Sequence, residues 1–383
     1  MPSASQSAER SGWTFYIDAN PLSERHLTGI GRYTARVALA LAGEGAEVRF
    51  FSFRREIVPP RGLRWEQDQD LGQWGRQLWS GAIRPLGSLP ERAAGLYTCL
   101  RLEERGFPFE ISILHDFTPL IVPQTHSEQT RRDFQFFFGR TLLKADAALA
   151  VSHSTKADAG WLTDFPQARI VVAHSGPSLC VERHLRAAAP VCRRPEVGLV
   201  VSTLEPRKNA DFLLDWFRQT RVLPPAAELW WVGSLGWLMS QKALRAAIRR
   251  SRRKVRLLGV VSDAKLCELY ATAGWTVYPS LYEGFGFPVL DALRHGAPVL
   301  AGCHSSLREF RSPGLFFFDP RDAESLDDAW RKLEAAGPIA IPAEPLDGQF
   351  NWSRVARTLL ALPETMREAA PRTKLGRSAV LVA

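Results

Sequence analysis

The chain has 383 residues, 45% of them hydrophobic and 23% charged. Domains usually hold ~100–200 residues, so this length predicts two, each able to bury its own core. Lys and Arg total 49 against 40 Asp and Glu, a formal charge of +9, which suits an anionic partner as well as it suits a solvated basic surface.

The five cysteines, Cys99, Cys180, Cys192, Cys267 and Cys303, are odd in number and lack C-x-x-C spacing. That argues against a disulfide framework or a structural zinc site, and for a reducing compartment. Met1–Gly12 has no apolar core of the signal type, and no run of ~20 apolar residues exists to span a bilayer. A cytoplasmic protein is the expectation.

In chain order, Trp13–Ile17 predicts a first strand. A polar loop, Gly29-Ile30-Gly31 and a helical pattern over Arg32–Leu41 follow, and Val48–Phe53 reads as the next strand: one βαβ unit. Pro59–Gly95 has weak periodicity and predicts loops and short helices. Short strands follow at Ile111–Leu114, Ala145–Val151 and Ile170–Ala173, and Ser154 or Thr155 is placed to cap the helix after the second of these. Val181–Glu196 reads as the linker.

Val197–Val201 restarts the alternation. Strands are predicted at Leu229–Val232, Val255–Leu258, Trp275–Tyr278, Val299–Ala301 and Leu315–Phe318. Helices are predicted near Ala210–Gln219, Gln241–Arg250, Asp263–Ala273, Pro288–His295 and Ala323–Ala335. Strict alternation argues for an α/β chain with parallel sheets covered on both faces. Lys242, Arg245, Arg249, Arg250, Arg252, Arg253, Lys254 and Arg256 concentrate positive charge, either as a solvated helix face or as a surface for an anionic leaflet.

In open α/β sheets ligands bind beyond the carboxyl ends of the strands, so polar residues just after strands are the candidates. In Tyr278-Pro279-Ser280-Leu281-Tyr282-Glu283-Gly284-Phe285-Gly286-Phe287-Pro288-Val289-Leu290-Asp291 a strand gives way to a helix with Pro in its first turn. Gly284 and Gly286 permit close backbone approach, and the helix-start amides suit a phosphate. Glu283 and Asp291 can both face one cleft and accept hydrogen bonds from sugar and ribose hydroxyls. Glu205-Pro206-Arg207-Lys208-Asn209 puts two cations at a strand end, where they would neutralise a departing diphosphate.

His115-Asp116 ends a strand of the first half. Its histidine is either a satisfied interior residue or a group that bonds the sugar or acceptor. Thr28-Gly29-Ile30-Gly31-Arg32-Tyr33 is a partial dinucleotide fingerprint, with Thr34 in the third glycine's place. Asp68-Gln69-Asp70 follows no strand and is read as a chance match to metal-binding D-x-D.

Together these segments resemble glycosyltransferase family 4, a retaining family of GT-B fold, over nearly the whole chain. Leu258-Gly259, Leu266, Leu269-Tyr270, Tyr278-Pro279-Ser280, Glu283–Gly286, Pro298-Val299-Leu300, Ser305-Ser306-Leu307 with Glu309, and Asp319-Pro320 carry the likeness. Gly233-Ser234-Leu235-Gly236-Trp237 and Glu205–Asn209 are similar to the subset holding many bacterial mannosyltransferases.

Residues 1–12, polar and without an apolar core, are expected to be a disordered N-terminus, and the resemblance implies an acceptor domain over 13–185 and a nucleotide-sugar domain over 186–345. A helix that crosses back, with a tail, fills 346–383 and includes Phe350-Asn351-Trp352. It further implies roles. Glu283 contacts the donor sugar and Asp291 the ribose. Arg207 and Lys208 bind the pyrophosphate, with Gly284, Phe285 and Gly286 alongside. His115 lies near the reaction centre, with Asp116 and His153 on the acceptor side, and the Gly29–Gly31 loop closes on the donor.

The sequence departs from the family's pattern in four places. Asp291 replaces Glu, His153 stands where an acid is common, His174-Ser175-Gly176 replaces Asn-Gly, and Ser202 replaces an arginine.

The expected donor is GDP-mannose, with other nucleoside-diphosphate sugars next, and neither metal nor cofactor is expected. The expected acceptor is a glycan or lipid-linked glycan of surface polysaccharide synthesis. Peripheral contact with an anionic inner leaflet stays open, and nucleic acid is not expected. Competing readings are a non-catalytic nucleotide-sugar binder and another GT-B enzyme such as an epimerase. A phosphorylase would need a pyridoxal lysine, for which no motif is seen.

Overall fold

The computed structural model describes residues 12–369 apart from 25, 67–68, 101–104, 180–191, 237 and 239. Two sheets organise the chain. The first contains β1 (Thr14–Asp18), β2 (Glu47–Ser52), β3 (Arg55–Val58), β4 (Ala82–Pro85), β5 (Ala93–Tyr97), β6 (Phe109–Leu114), β7 (Ala147–Ala150) and β8 (Ile170–Val172). Its order is β4-β3-β2-β1-β5-β6-β7-β8. The six strands from β2 to β8 are parallel, and β3 and β4 add an antiparallel edge.

The second sheet holds β9 (Arg194–Val201), β10 (Glu228–Val232), β11 (Lys254–Gly259), β12 (Ala273–Tyr278), β13 (Val299–Gly302) and β14 (Leu315–Phe318). All its pairings are parallel, in the order β11-β10-β9-β12-β13-β14. This is the doubly wound order whose direction reverses between its first and fourth strands, here β9 and β12. The crevice at that reversal is where loops after β9 and β12 can meet around a ligand.

The expected strands and helices of the second half appear within a few residues of their predicted bounds. β9 begins at Arg194 rather than Val197. The Arg193 guanidinium fixes that start by donating to the carbonyls of Tyr270 (2.9 Å), Ala273 (2.8 Å) and His295. The rest of the predicted linker, and most of the predicted disordered N-terminus, lie outside the described residues.

The first half differs more from expectation. Pro59–Gly95 holds β4, the start of β5 and the Leu71–Trp79 helix. β5 was missed because it sits in the middle of the sheet, buried at every residue, so Ala-Ala-Gly-Leu-Tyr shows no polar alternation. Asp70 caps the Leu71–Trp79 helix, accepting from the Gln73 amide at 2.7 Å, so this half of the D-x-D serves the helix. Asp68 is outside the described residues. Gly29 and Gly31 are not a loop but the first turn of the Gly29–Gly43 helix, whose N-cap is Thr28.

The basic stretch divides. Arg253 donates to the carbonyls of Phe217, Thr220 and Leu223, and Lys254 and Arg256 pair with Glu228. Lys242, Arg245, Arg249 and Arg250 stay exposed. No described helix is long and apolar enough to cross a membrane.

The Trp352–Ala369 helix packs against the Gly29–Gly43 helix of the first half. Trp352 Nε1 donates to the Pro177 carbonyl at 2.9 Å. Val355, Ala356 and Leu359 are fully buried beneath it. Leu359→Ala is therefore expected to cost about 2–5 kcal/mol by opening a cavity. Urea unfolding monitored by tryptophan fluorescence checks this; an unchanged midpoint would mean the helix is only loosely docked.

Candidate functional site

Local conformation sets the cations. β9 leads through Glu205 into a single turn, Pro206–Lys208, which ends at Asn209 in left-handed conformation with φ 60°. Asn209 Nδ2 holds that geometry by donating to the carbonyls of Pro320 (2.6 Å) and Pro279 (3.3 Å). The Leu281 amide donates to the Arg207 carbonyl at 2.9 Å. The loops after β9 and β12 are thus stitched together at the topological reversal.

Arg207 Nη1 lies 3.0 Å from Glu283 Oε2, and Lys208 Nζ 2.5 Å from Glu283 Oε1. Nζ also donates to Tyr278 Oη at 2.8 Å, and Arg207 Nη2 bonds Glu205 Oε1 at 2.9 Å. Glu283 is 6% exposed. Burial opposes its ionisation, but the Arg207 and Lys208 charges outweigh burial and lower its pKa to about 2. Burial, reinforced by the Arg207 charge, pushes the Lys208 pKa down, and burial pushes that of Glu205 up.

Glu283 is held by its backbone as well. Its amide donates to Ser305 Oγ at 2.9 Å, and Ser306 Oγ donates to its carbonyl at 2.9 Å and to that of Phe285 at 2.8 Å. Gly286 then caps the Phe287–Arg294 helix with φ 113°, a conformation glycine adopts without steric cost.

The first half meets this loop edge on. A Cβ at Gly284 would fall 1.8 Å from the His115 carbonyl oxygen and 2.9 Å from Asp116 Cβ, so only glycine allows this approach. Thr155 Oγ1 lies 3.1 Å from the His115 carbonyl and 3.3 Å from that of Gly284, bridging the two halves. His115 Nε2 is 2.9 Å from the Thr98 carbonyl, and the ring meets Tyr33 edge to face at 4.9 Å. Burial lowers the His115 pKa, so the ring is neutral near pH 7. A carbonyl accepts only from an N–H, which puts the proton on Nε2 and leaves Nδ1 as an acceptor. Asp116 turns its carboxylate back onto the Thr118 amide (3.0 Å) and hydroxyl (2.7 Å).

Further contacts close the seam. Arg32 pairs with Asp263 at 2.5 Å. Tyr282 Oη donates to Asp158 at 2.7 Å, and burial raises its pKa to about 12. Glu309 accepts the amides of His153 (3.0 Å) and Ser154 (2.8 Å). His153 is exposed at the first position of the His153–Leu162 helix. The cap of that helix is Ser152, two residues before Ser154 and three before Thr155, the expected caps, with its hydroxyl 3.0 Å from the Thr155 amide.

Asp291 was expected to share a cleft with Glu283. Its carboxylate instead accepts from the Ser178 amide (3.0 Å), the Ser178 hydroxyl and the Leu179 amide (3.4 Å). Burial raises its pKa. One turn into the helix, it reaches the segment after β8. Gly29 faces the same helix from across the seam, 3.9 Å from a Phe287 ring carbon by its absent Cβ. Ser178 and Asp158 carried no sequence signal, and Tyr282 stood in a quoted segment without an assigned role, because their roles arise only when the halves meet. Glu309 stood within a quoted motif without an assigned role.

Residues 195–335 match the family described as Glycosyl transferases group 1. The chain is 28% identical over 371 residues to the O-antigen chain mannosyltransferase B of Escherichia coli, covering 85% of this chain and 93% of that protein. Among solved structures it is similar to sucrose-phosphate synthase from Thermosynechococcus elongatus, with a TM-score of 0.65, 18% identity and coverage of 94% of this chain and 100% of that one. It is also similar to Anabaena Alr3699/HepE in complex with UDP-glucose, with a TM-score of 0.59, 17% identity and coverage of 93% and 99%. The fold is thus the GT-B arrangement of two α/β units. The second half matches the Glycosyl transferases group 1 family, and the chain has a mannosyltransferase relative at modest identity.

The depressed Glu283 pKa has a consequence for stability. A carboxylate shifted below its ordinary value of ~4.3 stabilises the fold fully above that pH and loses the contribution as pH falls toward 2. The thermal midpoint of the wild type should exceed that of Glu283→Gln above pH ~5, and the gap should shrink between pH 4.5 and 2. Melting curves across this range check it; a gap independent of pH would contradict the assigned ionisation.

Proposed function

We propose that the chain is a retaining hexosyltransferase that moves mannose from a nucleoside-diphosphate sugar, GDP-mannose first, to a glycan or lipid-linked glycan of surface polysaccharide synthesis. One observation carries the reading: Arg207 and Lys208 converge on Glu283 at the topological reversal of the second sheet. A diphosphate entering there would take over the two cations. The negative charge that develops on the leaving group would then be met by a guanidinium fork, an ammonium and the amides opening the Phe287–Arg294 helix.

Two fixed side-chain cations supply what a divalent ion supplies in metal-assisted transfer, so the proposal requires no metal. Glu283, released by the cations, would accept from the donor sugar hydroxyls. Its pairing with two cations suits an orienting acceptor of hydrogen bonds better than a nucleophile. Retention would follow a front-face route, in which the acceptor oxygen attacks on the side the diphosphate leaves. The departing diphosphate oxygen would take the acceptor's proton. This differs from retaining glycosidases, which use two carboxylates ~5 Å apart.

His115, neutral with Nδ1 as an acceptor, would face the sugar or acceptor hydroxyl. Asp116 and His153 would line the acceptor side, and Gly29 and Gly31 would open a helix toward the donor. Asp291 would reach the ribose only if the Ser178 segment withdraws as the halves part. The relative's O-antigen role supports the acceptor class. The exposed Lys242, Arg245, Arg249 and Arg250 support peripheral contact with an anionic inner leaflet, and a cytoplasmic location follows from this chemistry.

Transfer of labelled mannose from GDP-mannose to a lipid-linked glycan pool tests the reading. Glu283→Ala and Lys208→Ala should each lower turnover by about 10²–10³-fold, the scale for losing one preorganised electrostatic contact, with circular dichroism unchanged. Undiminished transfer by either variant would remove that residue from the site. Donor binding without transfer to any acceptor would favour a non-catalytic binder.

A further inference from the structure

Glu309 joins the two halves, and it does so with two histidines. His153 heads the helix after β7, His174 follows β8 by two residues, and Glu309 ends the short Ser305–Glu309 turn after β13. One ligand atom from each of the three lies within 4.8 Å of the others. His174 Nε2 is 2.6 Å from Glu309 Oε2, and the two imidazole rings are 5.4 Å apart, inclined at 62°. No other group of three such residues with this geometry occurs among the described residues.

We propose that His153, His174 and Glu309 form a binding site for a zinc-class divalent cation that clamps the two domains in the closed arrangement. Two imidazoles and one carboxylate are a donor set zinc takes readily, with a water in the fourth position. Zinc bonds of about 2.0–2.2 Å put tetrahedral ligand atoms about 3.4 Å apart. The existing separations reach that spacing if the exposed His153 ring swings in and the His174–Glu309 contact opens by under ~1 Å. His153 faces solvent, which gives the ion entry and the water its place.

The carboxylate is already oriented for this role. Its two oxygens accept the Ser154 and His153 amides, the kind of supporting contact that fixes a ligand's direction. The remaining lone pairs can meet a cation.

The clamp would reach the cation–carboxylate pair directly. Ser305 and Ser306, in the same turn as Glu309, bond the backbone of Glu283. A cation at the seam would therefore hold the Glu283 loop and both domains at once. It acts by positioning, outside the transfer chemistry, and does not depend on the proposed activity.

The full chain, stripped with a chelator, is titrated with zinc chloride by calorimetry and with cobalt(II) by visible absorption. One zinc per chain is expected. Cobalt should give d–d bands without thiolate charge transfer, which separates the His–His–Glu site from competition by the free thiols Cys99, Cys192, Cys267 and Cys303. His153→Ala and His174→Ala should each weaken binding at least tenfold, and zinc should raise the wild-type melting temperature but not that of His153→Ala. Because His153 is exposed, its variant stays interpretable even if His174→Ala unfolds. Equal zinc affinity in wild type and His153→Ala, or a cobalt spectrum with thiolate character, would overturn the proposal.

Discussion

A buried carboxylate held between two buried cations is the constraint on which the centre of this protein depends. Removing a carboxylate from water is costly unless opposite charges and hydrogen bonds replace its hydration. Glu283 has both cations within 3.0 Å and its backbone pinned by Ser305 and Ser306. The arrangement follows from the second sheet's reversal of direction between β9 and β12. It also follows from Asn209, whose left-handed turn aims Arg207 and Lys208 at the β12 loop. The cluster is neutral as a set, with Glu205 and Glu283 against Arg207 and Lys208. An arriving dianion would find two strong donors whose present partner is a carboxylate, a contact it can replace in kind.

Polar contacts cross the seam around this pair: Arg32–Asp263, Tyr282–Asp158, Thr155 with two carbonyls, Asp291 with Ser178, and Glu309 with two amides. They lie beside an apolar cluster that includes Tyr33, Phe285, Phe310, Phe350 and Trp352. Polar interdomain contacts break and re-form more readily than a hydrophobic interface, because water can substitute for each partner. The backbone of Gly284 against His115 leaves no room between these two residues in the closed form. On the proposed function, a sugar nucleotide would enter as the halves part, and reclosure would carry the first half's His115 toward the bound sugar.

Much of this was legible in the chain, unevenly. The second half could be read because its strands are apolar runs bounded by turn residues, with amphipathic helices between them. The candidate residues after β9 and β12 could be singled out because charged residues and glycines at strand ends are unusual, and the structure brings Arg207, Lys208 and Glu283 together. The first half resisted for local reasons. β5 is all small or apolar residues buried on both faces, β3 and β4 form a short edge ribbon, and Gly29-Ile30-Gly31 looks like a loop yet begins a helix behind Thr28. Asp291 and Glu309 show a different limit. A sequence can nominate a carboxylate, but the partner comes from the other domain, more than 100 residues away in the chain.

The central claim is that Arg207 and Lys208 exchange Glu283 for a diphosphate. Calorimetric titration of GDP into the wild type and Lys208→Met measures this without any acceptor. The account predicts saturable binding by the wild type, weakened at least tenfold by the loss of the ammonium. Equal affinity in the two proteins, or no binding by a folded wild type, would contradict it.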